Sequence, residues 1–173
     1  MQAKITNLPD EHHVMRYVPW TRLRKDEDDN VLGFLGDAFK LKPNEDHLSV
    51  NWLEYFDGDR DMKIQASVRV FRNTMDIGGK SAFGIGNVAK IKEVCRTNGA
   101  NVRIVYEPRD DNKSHSGLRR LPRDDFTLLE ALAADAFVEL IHNAAFHSRK
   151  RASSSKTRVV SGGIFEKVDY ATS

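Results

Sequence analysis

Hydrophobic and polar residues alternate in several segments of the chain, as is typical of half-buried β-strands. Residues 13–18, HVMRYV, alternate until Pro19, and residues 101–107, NVRIVYE, give the clearest strand prediction. Further short apolar segments, separated by turn residues, predict a small antiparallel meander followed by a short helix or turn. The meander segments are residues 31–35, 38–41 and 47–50, and the helix or turn is residues 51–56.

The segments 60–75 and 87–97 carry apolar residues at helical spacing. In 60–75 an overlapping set of apolar residues also alternates as in a strand, and a capping acid at Asp57 or Asp59 favours the helix. Segment 87–97 ends at Asn98-Gly99, because both residues tolerate the left-handed conformation found at helix ends. Both segments are interpreted as helices, and for 60–75 a strand remains the alternative.

The strongest periodic pattern lies in residues 125–146, after a polar loop at 108–123. Apolar residues keep a helical period over about six turns, few residues are β-branched, and no Gly or Pro interrupts the segment. Asp124 or Asp125 is placed to cap its first turn. The pattern predicts one long amphipathic helix.

These elements predict an α+β fold, with a small mixed or antiparallel sheet packed by two or three helices. The long helix 125–146 is expected to cover one face of that sheet. We expect a flexible arm at 1–12, a single domain at 13–147, and a flexible, basic, serine-rich tail at 148–173.

Composition limits the cellular setting of the protein. The 173 residues are 40 % hydrophobic and 30 % charged, which is typical of a globular chain and not of a disordered one. Cys95 is the single cysteine, so no intrachain disulfide can form. The first residues are polar, and no run of about 18 apolar residues occurs. We therefore predict a cytoplasmic protein that does not span a membrane.

The segment 84-GIGNVA-89 matches the pattern G-x-G-x-x-A, and strand 101–107 follows it and ends in Glu107. It resembles the dinucleotide-binding fingerprint of Rossmann-type oxidoreductases, in which glycines approach a pyrophosphate and an acid binds a ribose hydroxyl. The resemblance implies nucleotide binding at Gly84, Gly86 and Glu107. The alternative interpretation is a loop that leads into a helix, with Asn87 as its N-cap.

The loop 107–120 is the candidate active site. It concentrates acids, serines, one histidine and two adjacent arginines directly after the clearest strand. His115 is suited to act as a general base, and Arg119 or Arg120 to hold an oxyanion or a phosphate. The alternative is an ordinary solvated loop.

No metal site is predicted. The acidic loops 26–37 and 57–61 have part of the oxygen spacing of a calcium loop, but they lack its glycine and its terminal glutamate. The pair His142 and His147 lies five residues apart, which on a helix places the two rings on different faces.

Charge is unevenly distributed, although the net charge is only +2. Residues 148–158 carry five positive charges and no negative one. Such a segment can neutralise phosphates of a nucleic acid without reading its bases. The candidate nucleic-acid contacts are Arg149, Lys150, Arg151, Lys156 and Arg158.

Because no motif names a reaction, the sequence leaves open whether the protein is an enzyme. The first hypothesis is a non-catalytic binding or accessory module that acts through a protein partner, with electrostatic nucleic-acid contact from the tail. The second is a small phosphate-handling hydrolase or transferase that uses the 107–120 loop. The third is nucleotide binding at the 84–89 glycine turn. Substrate, cofactor, partner identity and oligomeric state are not determined by the sequence.

Overall fold

A computed structural model describes residues 6–146, which form an α+β fold. In chain order the strands are β1 (Thr6–Asn7), β2 (His13–Val18), β3 (Leu23–Lys25), β4 (Val31–Phe34), β5 (His47–Trp52), β6 (Ala82–Asn87), β7 (Arg103–Tyr106), β8 (His115–Arg119) and β9 (Glu139–His142). The α-helices are α1 (Arg60–Thr74), α2 (Val88–Thr97) and α3 (Phe126–Ala131).

Seven strands form one antiparallel sheet in the order β1-β7-β8-β5-β2-β6-β9. Strands β3 and β4 form a separate hairpin around the acidic turn. Within residues 6–146 the prediction of an α+β fold with an antiparallel sheet and three helices is therefore confirmed.

Helices cover the two faces of the sheet unequally. On one face, α2 and α3 pack over a large apolar core that includes Val14, Leu48, Ile104 and Leu118. On the opposite face, which we call the α1 face, Met15, Phe83 and Ile85 pack against the apolar side of α1. That side consists of Ile64, Val68 and Phe71. Burial of these side chains on both faces is the main stabilising contribution.

Helix α1 confirms the helical interpretation of residues 60–75. Asp59 is its N-cap, and its side chain accepts a hydrogen bond from the Met62 backbone N–H at 2.9 Å. Asn87 caps α2 in the same way by accepting from the Lys90 N–H at 3.1 Å. Each cap satisfies a backbone donor that the first helical turn leaves without a partner.

The prediction of one long helix over 125–146 is wrong. Helix α3 ends at Ala131, a π-helical turn spans Leu132–Ala136, and residues Glu139–His142 form β9. Strand β9 pairs with residues Ala82–Ile85 of β6, so this pairing satisfies the backbone groups that would otherwise be exposed at that sheet edge. The apolar pattern of residues 139–142 is compatible with a helix or a strand. The unpaired edge of β6 favours the strand, because its backbone groups need hydrogen-bond partners.

Other sequence expectations also change. The loop predicted at 108–123 contains strand β8, and the strand predicted at 38–41 is largely a 3₁₀ helix, Gly36–Phe39. The glycine turn predicted at 84–89 is instead strand β6 leading directly into α2. Of the expected arm at 1–12, residues Thr6–Asn7 pair with β7. The tail after Phe146, like residues 1–5, lies outside the described residues.

No helix within residues 6–146 is both long enough and apolar enough to cross a membrane.

Candidate functional site

Polar side chains occupy the part of the α1 face that β5 and β8 contribute. The antiparallel register places Asn51 opposite His115, Ser49 opposite Gly117, and His47 opposite Arg119. Because directly opposed residues lie on the same face of a sheet, these six residues share one surface. Glu107, just after β7, also reaches this surface, and its side chain lies over Gly117.

His115 is buried, with 3 % of its surface exposed. Its Nδ1 lies 2.8 Å from the Glu107 carbonyl oxygen, which can only accept, so Nδ1 carries the hydrogen. In the neutral ring the Nε2 lone pair then faces the Ser49 Oγ at 3.2 Å. Burial lowers the pKa of His115, although the hydrogen bond to Glu107 acts in the opposite direction. His115 is therefore a neutral imidazole near pH 7 with its basic nitrogen directed at a hydroxyl.

His47 packs edge-on against His115, with the ring centroids 5.5 Å apart. Its Nδ1 lies 2.5 Å from Asp46 Oδ1, and its Nε2 lies 3.3 Å from the Arg109 guanidinium. The hydrogen bond with His47 is the main reason that the pKa of Asp46 is lowered. The second imidazole is thus oriented from both of its nitrogens.

Arg119 connects the carboxylates of this surface. Its Nε donates to Glu107 Oε1 at 2.5 Å, and its Nη1 donates to Asp46 Oδ2 at 2.9 Å. The hydrogen bond to Glu107 is the largest cause of the raised pKa of Arg119. The second Glu107 oxygen, Oε2, lies 4.0 Å from His47 Nε2. Arg119 therefore fixes Glu107 between the two histidines.

Gly117 makes this arrangement sterically possible. A Cβ atom at this position would lie 2.8 Å from Glu107 Oε2 and 2.9 Å from His47 Cδ2. Any larger residue would push the carboxylate and the imidazole off the strand.

His47, Glu107 and His115 could hold a metal ion, since one ligand atom from each lies within 4.8 Å of the others. Two histidines and one carboxylate are a ligand set that suits divalent transition metals. In the observed arrangement Ser49, Arg109 and Arg119 already contact these side chains. An ion would have to displace at least some of those contacts.

A cavity of about 610 Å³ opens beside His115, between β2, β5 and the end of α1. Strands β2 and β5 pair only at Val14 and Met15, and beyond that point they separate. The inner residues of the cavity include Arg16, Ser49, Asn51 and His115.

The structure brings together three of the residues singled out from the sequence, namely Glu107, His115 and Arg119. Arg120 follows β8, is exposed and has a φ of 64°. Gly84 and Gly86 lie in β6, separated from β7 by three strands, or about 19 Å at the usual strand spacing. Their predicted roles in catalysis and nucleotide binding stay predictions.

The two glycines of β6 face the core, and each position is crowded. A Cβ at Gly86 would lie 3.0 Å from the Ala136 carbonyl oxygen, and one at Gly84 would lie 3.0 Å from the Phe34 ring. Both glycines thus allow close packing under the π-helical turn and β4. The five basic residues proposed for nucleic-acid contact lie outside the described residues.

Sequence reasoning missed Arg16, Asp46, His47 and Ser49. One signal was present, since 47-HLSVN-51 alternates polar and apolar residues and so places His47, Ser49 and Asn51 on one strand face. Only the pairing of β5 with β8 shows that this face meets His115.

No family model matches the chain, and neither a curated protein nor a solved structure matches it significantly.

Proposed function

We propose that the protein is a small phosphate-handling enzyme, a hydrolase or transferase, with His115 as its general base. The observation that carries this proposal is the buried, neutral imidazole of His115, whose Nε2 faces the Ser49 hydroxyl at 3.2 Å beside a polar cavity. A base held within hydrogen-bond distance of a hydroxyl by a second, orienting contact is the geometry that nucleophilic catalysis requires.

The reaction follows from the positions of these groups. His115 Nε2 takes a proton from the Ser49 hydroxyl, or from a water or alcohol in the adjoining cavity. The activated oxygen forms a bond to phosphorus while the bond from phosphorus to the ester oxygen breaks. The proton on Nε2 then passes to the departing oxygen. When Ser49 is the nucleophile, a water or alcohol that has lost its proton to the same Nε2 then attacks the phosphoserine, and that proton returns to Ser49 Oγ as its bond to phosphorus breaks. The Glu107 carbonyl holds the ring in the required tautomer throughout.

Phosphate esters are the proposed substrates because cationic side chains border the cavity. The lining includes the acids Glu45, Asp76 and Asp111 and four cations, Arg16, Arg22, Lys42 and Arg109. Charge-assisted hydrogen bonds from such groups stabilise phosphoryl oxygens as negative charge accumulates in the transition state.

The test is release of inorganic phosphate or of p-nitrophenol from p-nitrophenyl phosphate, bis(p-nitrophenyl) phosphate and a panel of nucleoside phosphates. His115→Gln is expected to lower kcat about 10²- to 10⁴-fold, the usual contribution of a general base. His142→Gln changes an exposed histidine of β9 and should leave the rate unchanged. Equal turnover by both variants would exclude His115 as the base.

A protein-binding role without catalysis is the second candidate, and an aromatic surface supports it. Tyr55 is 40 % exposed, and its ring lies 6.4 Å from Trp52 and 6.1 Å from Tyr106. Aromatic side chains of this kind are enriched at interfaces. If no ester is turned over, and Tyr55→Ala abolishes binding of an identified partner that His115→Gln retains, this second function replaces the first.

A further inference from the structure

Arg16 occupies the gap between two diverging strands. It lies on β2 just beyond the last residue that pairs with β5. Its Nε donates to the Ala38 carbonyl at 2.8 Å, and its Nη1 donates to the Ser49 carbonyl at 2.8 Å. The guanidinium therefore replaces the strand pairing that β2 and β5 would otherwise make.

No carboxylate among the described residues forms an ion pair with Arg16, although Glu45 acts on its charge from a longer distance. None of the ion pairs within residues 6–146 includes it, and its two hydrogen-bond acceptors are neutral carbonyls. A guanidinium has five N–H groups, so three of them remain without a protein acceptor. Arg16 is only partly exposed. A partly buried charge is normally paired, because removing an ion from water is unfavourable.

Burial lowers the pKa of Arg16 to about 10, and the nearby Arg22 adds to this effect, while Glu45 opposes it. The side chain nevertheless stays charged near pH 7. The remaining N–H groups lie at the cavity, which Arg16 helps to line.

The other cations of the cavity differ from Arg16. Arg22 lies 3.3 Å from Asp37, and Lys42 lies 3.6 Å from Glu45, so each already has a carboxylate partner. Arg109 is exposed and contacts His47. Three acids also line the cavity: Asp76 and Asp111 are exposed to solvent, and Glu45 is partly buried and paired with Lys42. Among these four cations, Arg16 is therefore the one that is both partly buried and without a carboxylate in ion-pair contact.

We propose that Arg16 is an anion-binding residue, and that its free N–H groups hold the phosphate group of the substrate. This inference rests on the proposed function and names the part of the site that selects the substrate class. Arg16 and His115 both contact Ser49, one through its carbonyl and the other through its hydroxyl. A phosphate on Arg16 would accordingly lie next to the nucleophile and the base.

A phosphate fits this place better than a chloride or a single hydroxyl. The planar guanidinium presents parallel N–H groups that match two oxygens of one oxyanion. Phosphate also has further oxygens, so one edge can bind Arg16 while another faces Ser49. The anion would supply a negative charge in direct contact with Arg16, whose acceptors among the described residues are neutral carbonyls.

The first experiment is calorimetric titration of the full chain with inorganic phosphate at constant ionic strength. Arg16→Lys and Arg16→Gln should weaken binding about tenfold or more, since each removes charge-assisted hydrogen bonds from the guanidinium to the phosphate oxygens. Arg103→Gln is the control, because this exposed arginine of β7 contacts Asn7 and does not line the cavity. Equal losses of phosphate affinity in all three variants would mean that phosphate responds only to the net positive charge of the protein, which would contradict a specific role of Arg16.

A second measurement does not depend on the folding of any variant. In the wild-type protein, phosphate should shift the Nε–Hε resonance of Arg16, and acetate at the same ionic strength should shift it less. Urea unfolding of each Arg16 variant shows whether it is folded. If the Arg16 resonance does not move while phosphate binds elsewhere, or if no phosphate binds, the inference is wrong.

The two proposals fail in different ways. If phosphate binding depends on Arg16 but the protein turns over no ester, the anion site is supported and the enzymatic function is contradicted. If turnover depends on His115 but Arg16→Lys does not change KM, the enzymatic function is supported and a role of Arg16 in substrate binding is contradicted.

Discussion

The α1 face of the sheet has two parts with opposite chemistry. Beneath α1, Met15, Phe83 and Ile85 are fully buried and pack against an apolar helix surface. On β5 and β8 the same face carries polar residues, and a cavity borders it. The apolar part stabilises the fold by removing surface from water, whereas each polar group of the other part needs its own partner.

Asn51 marks the boundary between the two parts. Its Nδ2 donates to Ser67 Oγ of α1 at 3.1 Å, and its Oδ1 accepts from Asn112 Nδ2 at 2.7 Å. The covering helix and the loop before β8 are thus joined through one buried amide. The candidate functional residues are therefore the polar residues of β5 and β8 that α1 does not cover.

The largest effect is expected from the apolar part. Phe83→Ala removes a fully buried ring that contacts Phe71 and Phe146, with centroids 5.6 and 6.1 Å away. We expect the free energy of unfolding to fall by about 3–5 kcal/mol, because the change leaves a cavity. Urea unfolding measures it, and Leu32→Ala, at a residue 64 % exposed, is the control. Similar losses in both variants would show that Phe83 is not a core residue.

Gly117→Ala is expected to lower stability less than Phe83→Ala does, but to change the geometry of the candidate site more. The new methyl group must displace Glu107 and His47, at a cost of about 1–3 kcal/mol for overpacking. The imidazole resonances of His47 and His115 should shift. Gly79→Ala is the control, because nothing lies within 4 Å of a Cβ there. Unchanged histidine resonances would contradict the close approach over Gly117.

Helix α1 can be destabilised at its N-terminus without changing a residue of the sheet. Asp59→Ala removes the N-cap and should cost about 1 kcal/mol. Asp57→Ala changes an exposed neighbouring acid and should have little effect. If the two variants unfold at the same urea concentration, the cap is not stabilising.

The smallest expected effect is a pH dependence that belongs to the polar part. The pKa of His115 is lower in the folded than in the unfolded protein, so the unfolded chain binds more protons in acid. This contribution to stability is complete above the unfolded pKa of about 6.5 and is lost as pH falls through the lower, folded value. His115→Gln should flatten the stability profile in that range, and His142→Gln should not. Matching profiles for wild type and His115→Gln would contradict the buried, neutral state.

Local signals were sufficient for the elements with strong caps or clear alternation. Asn87 and Asn98-Gly99 defined α2, and the alternation in 13–18 and 101–107 gave β2 and β7. They failed where two conformations fit one pattern. In residues 139–142 the exposed edge of β6 decided for a strand, and that edge is distant in sequence.

The site was predicted only in part for the same reason. His115, Arg119 and Glu107 are close in sequence, so composition alone drew attention to them. His47 and Ser49 come from β5, and Arg16 from β2, far earlier in the chain. Strand pairing brings His47 and Ser49 to the face that carries His115, and the gap between β2 and β5 lets Arg16 reach the same cavity. No local pattern encodes which strands become neighbours.

The amino-acid sequence by itself determined the α+β class, the caps of α1 and α2, and the amphipathic surfaces that seek burial, because these depend on neighbours within a few residues. Tertiary structure alone decided the strand order and the conformation of residues 132–142, which form a π-helical turn and a strand. It also decided that His47, Ser49 and Arg16 lie near His115. Those outcomes depend on backbone groups and charges that find partners only after the sheet has formed.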